Sequence, residues 1–361
     1  MKQIALGPYK CIEIFFPRSD FRAFVVVDNV ALGPSIGGVR VSPRVTVDEV
    51  KRLARTMTLK NSIAGLAHGG GKAGMVIDPR SDRKEHCFRV FSQAIGSLEE
   101  YIPGPDMGSD ERCMAWVFDE ISRAVGLPEE VGGLPLDKLG ATGFGLAECA
   151  EVACPYAGVK LRGARVAIQG FGSVGKAAAR FLSQKGALLV AASDSGGSVC
   201  SPEGIDVDEL LKFKEEAGSV VHYRKGKPGA CEALFLADCD ILIPAAIPDV
   251  IHEDNAEQIT AKLILQGANI PATGSAERIL HRRGIISVPD FIANAGGVIM
   301  AAMEYERRSE REAFEAISGR VRENTGLILE TALSEGVMPR IAAEEIAVRR
   351  VADAMALRRV M

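Results

Sequence analysis

A glycine turn set between an apolar run and a helix constrains this chain more than any other feature. Arg165 to Gln169 reads as a short buried strand, Gly170-Phe171-Gly172-Ser173-Val174-Gly175 as the turn, and Lys176 to Gln184 as a helix. A second apolar run, Leu188 to Ser193, ends at Asp194, 19 residues after the last glycine. A G-x-G-x-x-G alone says little. Strand, turn, helix, strand and acid together form the βαβ unit that holds a dinucleotide. Gly170 allows the turn, Gly172 lets backbone N–H groups reach a pyrophosphate, and Gly175 lets helix and strand pack closely. Asp194 is placed to bond the adenosine ribose hydroxyls and to repel a 2′-phosphate, which favours NAD. Ser193 and Ser195 beside it leave NADP open.

Further buried runs at Cys239 to Ala245, Leu263 to Gly267 and Gly284 to Val288 predict more parallel strands and a doubly wound sheet. The 361 residues suggest two domains. A net charge of −4 without a basic block argues against a nucleic-acid partner. No basic-then-apolar leader and no run of about 20 apolar residues is visible, so a cytoplasmic protein with no membrane partner is expected. The eight cysteines are scattered without a C-x-x-C pair, so reduced thiols and no metal site are expected.

The first third begins with strand-like runs at Cys11 to Phe16 and Phe24 to Asp28, glycine loops at Gly33-Pro34 and Gly37-Gly38, and a short strand, Val39 to Val41. Thr46-Val47-Asp48-Glu49 fits a capping box, and the helix after it has the apolar stripe Val50, Leu53, Met57. The next position on that stripe is Lys60. A lysine there either meets an anion or snorkels off the helix end. Gly69-Gly70-Gly71 reads as a loop from whose crowded wall Lys72 projects, or as a plain tight turn with a solvated lysine. The spacing is not that of a Walker A loop. Tyr101 to Gly108 reads as a rigid Pro/Gly loop, with Ser109 capping the next helix and Asp106 just outside the cap, where an aspartate ordinarily bonds its own turn. Gly132 to Gly145 reads as the crossover between domains. The chain from about Gly297 is helical and is expected to fold back on the first domain. The expected domains are 1–138 joined by 330–361, and 139–329.

These motifs together resemble a family. Gly37-Gly38-Val39-Arg40, Met57-Thr58-Leu59-Lys60-Asn61, Gly69-Gly70-Gly71-Lys72, Pro105-Asp106-Met107-Gly108, the glycine turn, Gln266-Gly267-Ala268-Asn269 and Pro289 to Val298 stand in the order found in the amino-acid dehydrogenases acting on glutamate, leucine, phenylalanine or valine. The resemblance runs from about residue 30 to 310. It implies a Rossmann-type dinucleotide domain, an N-terminal α/β domain for substrate and oligomerisation, and a cleft between them that closes before hydride transfer. The implied reaction is reversible, NAD(P)-dependent oxidative deamination of an L-amino acid to a 2-oxo acid and ammonia. The family's roles then give Lys60 the substrate α-carboxylate and make Lys72 the catalytic lysine, its pKa lowered by burial and a neighbouring cation. Asp106 becomes the acid/base at the substrate nitrogen. Gly37 and Gly38 line the substrate, and Asn269 lies between substrate and nicotinamide ribose. Thr142, Ala245, Ala246 and Asn294 join the glycine turn and Asp194 at the cofactor. The family's habit also implies a homo-oligomer.

The side chain accepted is read from departures. Glutamate enzymes of the family carry a lysine where Ile36 stands and a serine where Ala301 stands. A distal carboxylate there would be desolvated without a partner. Ile36, Val298 and Ala301 therefore predict an apolar wall and a Leu/Val/Phe-like substrate, with Gly104 leaving room for a bulkier group. Asp106 to Arg112 and Ser193-Asp194-Ser195 read more like the glutamate branch, so glutamate is the alternative. Phe144 replaces that branch's usual arginine. Two other readings stand beside these: another NAD(P) oxidoreductase on the same fold, and a non-catalytic nicotinamide-binding regulator. His68 is read as a hydrogen-bonded loop histidine rather than a substrate contact.

Overall fold

The structure, a computed structural model, describes residues 6–18 and 21–358. Along the chain run β1 (Lys10–Phe16), β2 (Phe21–Asn29), β3 (Ser35–Val41), α1 (Val47–Ile63), β4 (Gly69–Met75), α2 (Lys84–Ala94), β5 (Tyr101–Pro105), α3 (Glu111–Ile121), α4 (Leu136–Leu139) and α5 (Ala141–Tyr156). There follow β6 (Arg165–Gln169), α6 (Ser173–Gln184), β7 (Leu188–Asp194), β8 (Gly197–Cys200), α7 (Val207–Ala217), β9 (Lys227–Gly229), β10 (Ile241–Pro244), α8 (Glu253–Ala256) and β11 (Leu263–Leu265). The last elements are α9 (Gly274–Arg282), β12 (Ile286–Val288), α10 (Asp290–Ala293), α11 (Gly296–Tyr305), α12 (Glu310–Glu335) and α13 (Pro339–Leu357). The chain divides into two units, one reaching to Leu136 and completed by Val298–Ala316 and Glu344 onward, the other made of Asp137–Gly297 and Ile317–Ala343.

The N-terminal unit holds a five-stranded sheet in the order β1-β2-β4-β3-β5. β1 and β4 flank β2 antiparallel, while β3 runs parallel to β4 and β5. β2 is covered on both faces, which is why it reads as an unbroken apolar run. Val25 and Val27 face Phe88, Phe91, Met114 and Val117 from α2 and α3. Phe24 and Val26 face Val50 and Ala54 of α1.

Two stretches expected as glycine loops are strands. Gly37-Gly38 lies within β3, and Gly69 to Gly71 opens β4. A Cβ at Gly37 would sit 1.6 Å from the Gly71 carbonyl oxygen, at Gly69 1.7 Å from that of Asn29, and at Gly70 2.0 Å from the Thr58 nitrogen. These glycines bring neighbouring backbones together rather than turn the chain. Tyr101 to Pro105 is likewise a strand, β5. Thr46 caps α1 by accepting the Glu49 N–H, but the helix buries Val50, Ala54, Thr58 and Asn61, leaving Leu53 and Met57 half-buried. Asp110, not Ser109, caps α3 through the Cys113 N–H.

The chain rejoins the N-terminal unit at Val298, earlier than the expected 330, and leaves it again from Ile317 to Ala343. Two polar anchors account for this. The Glu304 carboxylate on α11 accepts the N–H groups of Gly126 and Leu127, each at 2.9 Å. On α13, the Ala347 carbonyl accepts the Ser62 hydroxyl at 2.9 Å, and Arg350 donates to the carbonyls of Ser62 and Ile63.

The central unit holds a seven-stranded sheet, β12-β11-β10-β6-β7-β8-β9. The five strands from β12 to β7 are parallel, as a doubly wound sheet requires, and β8 and β9 add an antiparallel edge. Part of the expected crossover is helical. Gly143 lies inside α5 because a Cβ there would be 2.4 Å from the Ala178 nitrogen on α6. Among the described residues no helix is long and apolar enough to cross a membrane, and no His/Cys/Asp/Glu cluster could hold a metal ion.

Candidate active site

Two groups of residues carry chemistry, one in each unit. In the N-terminal unit, β4 projects Lys72 from the interior of the sheet, with its side chain only 7% exposed. Its Nζ lies 3.1 Å from Asp106 Oδ2, at the turn after β5. Arg40 on β3 donates through Nε to the same oxygen at 2.8 Å and through Nη1 to Glu49 Oε1 at 2.6 Å. Glu49 therefore points to Arg40 rather than back to its helix cap. Asp106 is held in place by Ser109, whose hydroxyl accepts the Asp106 N–H at 2.9 Å and donates to the Val39 carbonyl at 2.7 Å. The Ser109 side chain has thus been taken from the helix cap to the turn.

Burial pulls the Lys72 pKa below the ordinary lysine value, and the Arg40 guanidinium adds to the effect against the opposing pull of Asp106 and Glu49. For Asp106 burial opposes ionisation, but Lys72 and Arg40 outweigh it and hold the carboxyl below its usual range. A buried lysine poised to lose its proton beside an ionised carboxylate is the equipment of a general acid/base pair.

The other expected substrate residues of this unit lie on neighbouring elements. Ile36, Gly37 and Gly38 are on β3, and Lys60 is buried at the end of α1. Val298 and Ala301 are on α11, Ala301 buried and Val298 half-buried. The side of Gly104 expected to give room is occupied: a Cβ there would meet Val125 Cγ2 at 3.1 Å. His68 follows the plainer reading, with Nδ1 3.0 Å from the Pro34 carbonyl oxygen and its ring edge-on to Tyr305.

In the central unit the glycine turn opens on a cavity of about 660 Å³ lined by Gly170, Phe171, Gly172, Ser193, Asp194, Ala245 and Ala246 among others. Gly170 has φ +92°, a backbone conformation that favours glycine, and a Cβ there would press on Ala246. A Cβ at Gly175 would be 2.0 Å from the Gly170 carbonyl oxygen, so that glycine serves helix–strand packing. Gly172 differs, with nothing within 4 Å of its Cβ position. Ser173, Val174 and Gly175 begin α6, where the first N–H groups lack helical partners. Gln169 Oε1, beside the turn, is buried without a hydrogen-bond partner among the described residues. Open room, unsatisfied donors and an orphan acceptor fit a dinucleotide pyrophosphate and its ribose.

Asp194 lines the same cavity and is also bonded within the chain. Oδ1 accepts from Ser219 Oγ at 2.7 Å and the Gly196 N–H at 2.9 Å, while Oδ2 accepts from the Val220 N–H at 2.9 Å and from Lys214 Nζ. Burial works against its charge, but Lys214 and these other donors hold the carboxyl below its usual range. It organises the 214–220 segment, and Lys214 itself lines the cavity. Asn269 and Asn294, expected at the nicotinamide end, pair with each other, Asn294 Nδ2 donating to Asn269 Oδ1 at 3.0 Å. Thr142 lies in the first turn of α5, and Phe144 packs edge-on against Phe181.

Three residues received no role from the sequence. Arg40 shares a sheet face with Gly38, the glycine that abuts Asp106, and the two-residue spacing was the available signal. Lys214 needed the 20-residue return to Asp194 to be found. Arg340 donates to both Glu277 oxygens, to Gln266 Oε1 and to Asp290 Oδ1, tying together the segments after β11 and β12 that lead to Asn269 and Asn294.

Comparison with known proteins agrees with this geometry. A family model described as "Glutamate/Leucine/Phenylalanine/Valine dehydrogenase" matches residues 132–359, and the dimerisation domain of the same family matches 10–123. The chain is 41% identical over 356 residues to the glutamate dehydrogenase of Aeropyrum pernix, covering 91% of this chain and 85% of that one. It is 43% identical over 294 residues to the NADP-specific glutamate dehydrogenase of Saccharolobus shibatae, covering 77% and 69%. Among solved structures, the leucine-bound hetero-hexameric glutamate dehydrogenase of Thermus thermophilus superposes with a TM-score of 0.87 at 30% identity, over 97% of this chain and 90% of that one. With both of its units matched, the chain belongs to the Glu/Leu/Phe/Val dehydrogenase family, NAD(P)-dependent oxidoreductases that deaminate amino acids.

Proposed function

We propose that the chain interconverts L-glutamate with 2-oxoglutarate and ammonia, using NAD(P). The observation that carries the chemistry is the buried Lys72–Asp106 pair, 3.1 Å apart with Arg40 on the same carboxylate oxygen. Glutamate is favoured over the apolar substrate expected from Ile36 and Ala301 because the relatives at 41% and 43% identity are glutamate dehydrogenases. When bound, the nicotinamide accepts the hydride from the substrate Cα.

The chain's own residues do the proton work. Lys60 pairs with the α-carboxylate and fixes the substrate's orientation. Asp106 takes a proton from the substrate nitrogen as the iminium forms and returns one as ammonia leaves. Lys72, as the neutral amine, takes the proton of the water that attacks the iminium carbon. Gly170 to Gly175 hold the pyrophosphate, and Ala245, Ala246, Asn269, Asn294 and Thr142 complete the cofactor surface. The enzyme works in the cytoplasm as an oligomer of its own copies, the oligomer being supported by the match to the dimerisation domain.

A second reading keeps the reaction and changes the side chain. Ile36 is 4% exposed and Ala301 7%, and neither can meet a distal carboxylate with a hydrogen bond. The deciding experiment follows NADH and NADPH oxidation with ammonia and either 2-oxoglutarate, branched-chain 2-oxo acids or phenylpyruvate. Preference for 2-oxoglutarate supports the main reading, and preference for an apolar oxo acid replaces it with the second. Silence across the panel, with nucleotide still binding, overturns both in favour of a regulatory nicotinamide-binding role.

A further inference from the structure

Arg40 sits among the reacting groups without touching the chain of roles assigned to them. Its guanidinium is bracketed by two carboxylates: Nε meets Asp106 Oδ2 at 2.8 Å and Nη1 meets Glu49 Oε1 at 2.6 Å. The Arg40 side chain is 17% exposed and that of Asp106 16%, so the contact is largely shielded from solvent. Lys72 approaches the same Oδ2 at 3.1 Å. Both cations therefore load one oxygen of Asp106, and Oδ1 accepts nothing from the described residues.

We infer that Arg40 is a positioning residue for the deamination chemistry, pinning Asp106 by Oδ2 so that Oδ1 is the oxygen that exchanges protons with the substrate nitrogen, and setting a second fixed cation beside Lys72 on that carboxylate. The inference rests on the roles proposed above for Asp106 and Lys72. A planar guanidinium can hold Asp106 and Glu49 at once in a fixed direction, which a single ammonium cannot. Glu49, in the first turn of α1, anchors the far side of the fork and so fixes the rotation of Asp106 about its own side chain. The charged groups facing Lys72 are Asp106 from the turn after β5, Arg40 from β3 and Glu49 from α1. The buried Tyr101 phenol, bonded to the Gly37 carbonyl, is held neutral by a pKa well above its ordinary value. Of these groups only Arg40 pushes the lysine toward its uncharged form. Removing it lets both Lys72 and Asp106 titrate at higher pH.

The test uses the full chain and two readouts. Competitive acetylation of Lys72 by acetic anhydride, followed by peptide mass spectrometry across pH, reports the lysine without substrate or cofactor. The pH dependence of kcat/KM for reductive amination reports the working site. Arg40→Gln is expected to move the labelling midpoint and the acidic limb of the rate profile upward by about one pH unit, and to cut kcat by at least about tenfold while KM changes less. Arg40→Lys keeps the charge but loses the fork, so it is expected to restore the midpoint while kcat stays depressed. An unchanged labelling midpoint in a folded Arg40→Gln protein overturns the inference. Should Arg40→Gln fail to fold, Arg40→Lys decides alone, since full wild-type kcat there also overturns it. Failure to turn over any oxo acid would sink the proposed function, while the labelling midpoint would still decide whether Arg40 sets the Lys72 titration.

Discussion

Both units of this protein are rich in glycine around their functional residues, yet the glycines act in opposite ways. In the N-terminal sheet, Gly37, Gly69 and Gly70 lie inside strands, where a methyl group would collide with backbone atoms at 2.0 Å or less. They are needed by the protein's own packing, and their consequence is that Lys72, Arg40 and Asp106 meet in a buried space. At the glycine turn of the central unit, Gly172 has nothing within 4 Å. That position is open, which suits a close approach of a ligand to the backbone. A glycine cluster thus has two physical meanings, compaction and vacancy, and only the surroundings separate them.

The largest effect expected on this contrast comes from its compact side. Gly37→Ala should cost more than about 4 kcal/mol and abolish soluble folded protein, as measured by expression and circular dichroism. A stable, folded Gly37→Ala protein would break the comparison. Next, Lys72→Ala should reduce kcat about 10²- to 10⁴-fold while leaving the thermal midpoint within a few degrees, because it removes a buried group whose charged form is already disfavoured.

Glu304 tests whether the N-terminal unit's buried charges matter to its stability. Burial first, then the Glu111 carboxylate, push its pKa from 4.5 up to about 7 against the Gly126 and Leu127 N–H groups. Between those values the folded chain holds a proton that the unfolded chain has lost. Its contribution to stability is therefore complete below about pH 4.5 and is lost as pH rises through about 7. Thermal denaturation from pH 5 to 8 should show a decline of about 1–3 kcal/mol that flattens in Glu304→Gln. A decline equally steep in the variant would remove Glu304 as its source.

Smaller effects belong to the open side. Lys214→Gln should weaken binding of 2′,5′-ADP about tenfold and of 5′-AMP much less, because the ammonium lines the cavity while Asp194 is already occupied by internal donors. Equal weakening of both nucleotides would mean that Lys214 acts through Asp194 on the ribose rather than on the phosphate. Smallest of all, Gly172→Ala should change stability by less than about 1 kcal/mol while lowering nucleotide affinity. Isothermal titration beside a melting curve measures both, and a large loss of stability would mean that Gly172 is a packing glycine like Gly37.

The same contrast explains what could be read before the fold was known. The glycine turn was legible because strand, turn and helix are contiguous, so local spacing carries the whole motif. Lys72 and Asp106 were legible through the order of their motifs. The strands around them were not, since Gly69 to Gly71 supply no side chains whose alternation could mark a strand, and the reason for their glycines lies in Asn29 at the end of β2, Thr58 inside α1, and Ser35 and Tyr101 on β3 and β5. In sequence, Ser109 and Asp110 both suit the cap of α3. Only the turn holding Asp106 shows why the serine is used elsewhere. Asp194 is legible as the acid after the second strand, but its internal partners at Lys214, Ser219 and Val220 are invisible to a rule that looks backward to the turn. The side-chain pocket was the least legible. Ile36 and Ala301 can be named from sequence, but the chemistry they enforce depends on which other groups reach the same space.

The return of the last helices to the first-made unit has a consequence for synthesis. Ser62 and the 126–127 backbone leave the ribosome early, yet their partners Ala347, Arg350 and Glu304 are translated much later. During translation the N-terminal sheet must therefore wait, with its α13-facing surface uncovered, while the intervening unit is made. A chain cut short even within α13 would leave the oldest part of the molecule as the unfinished part.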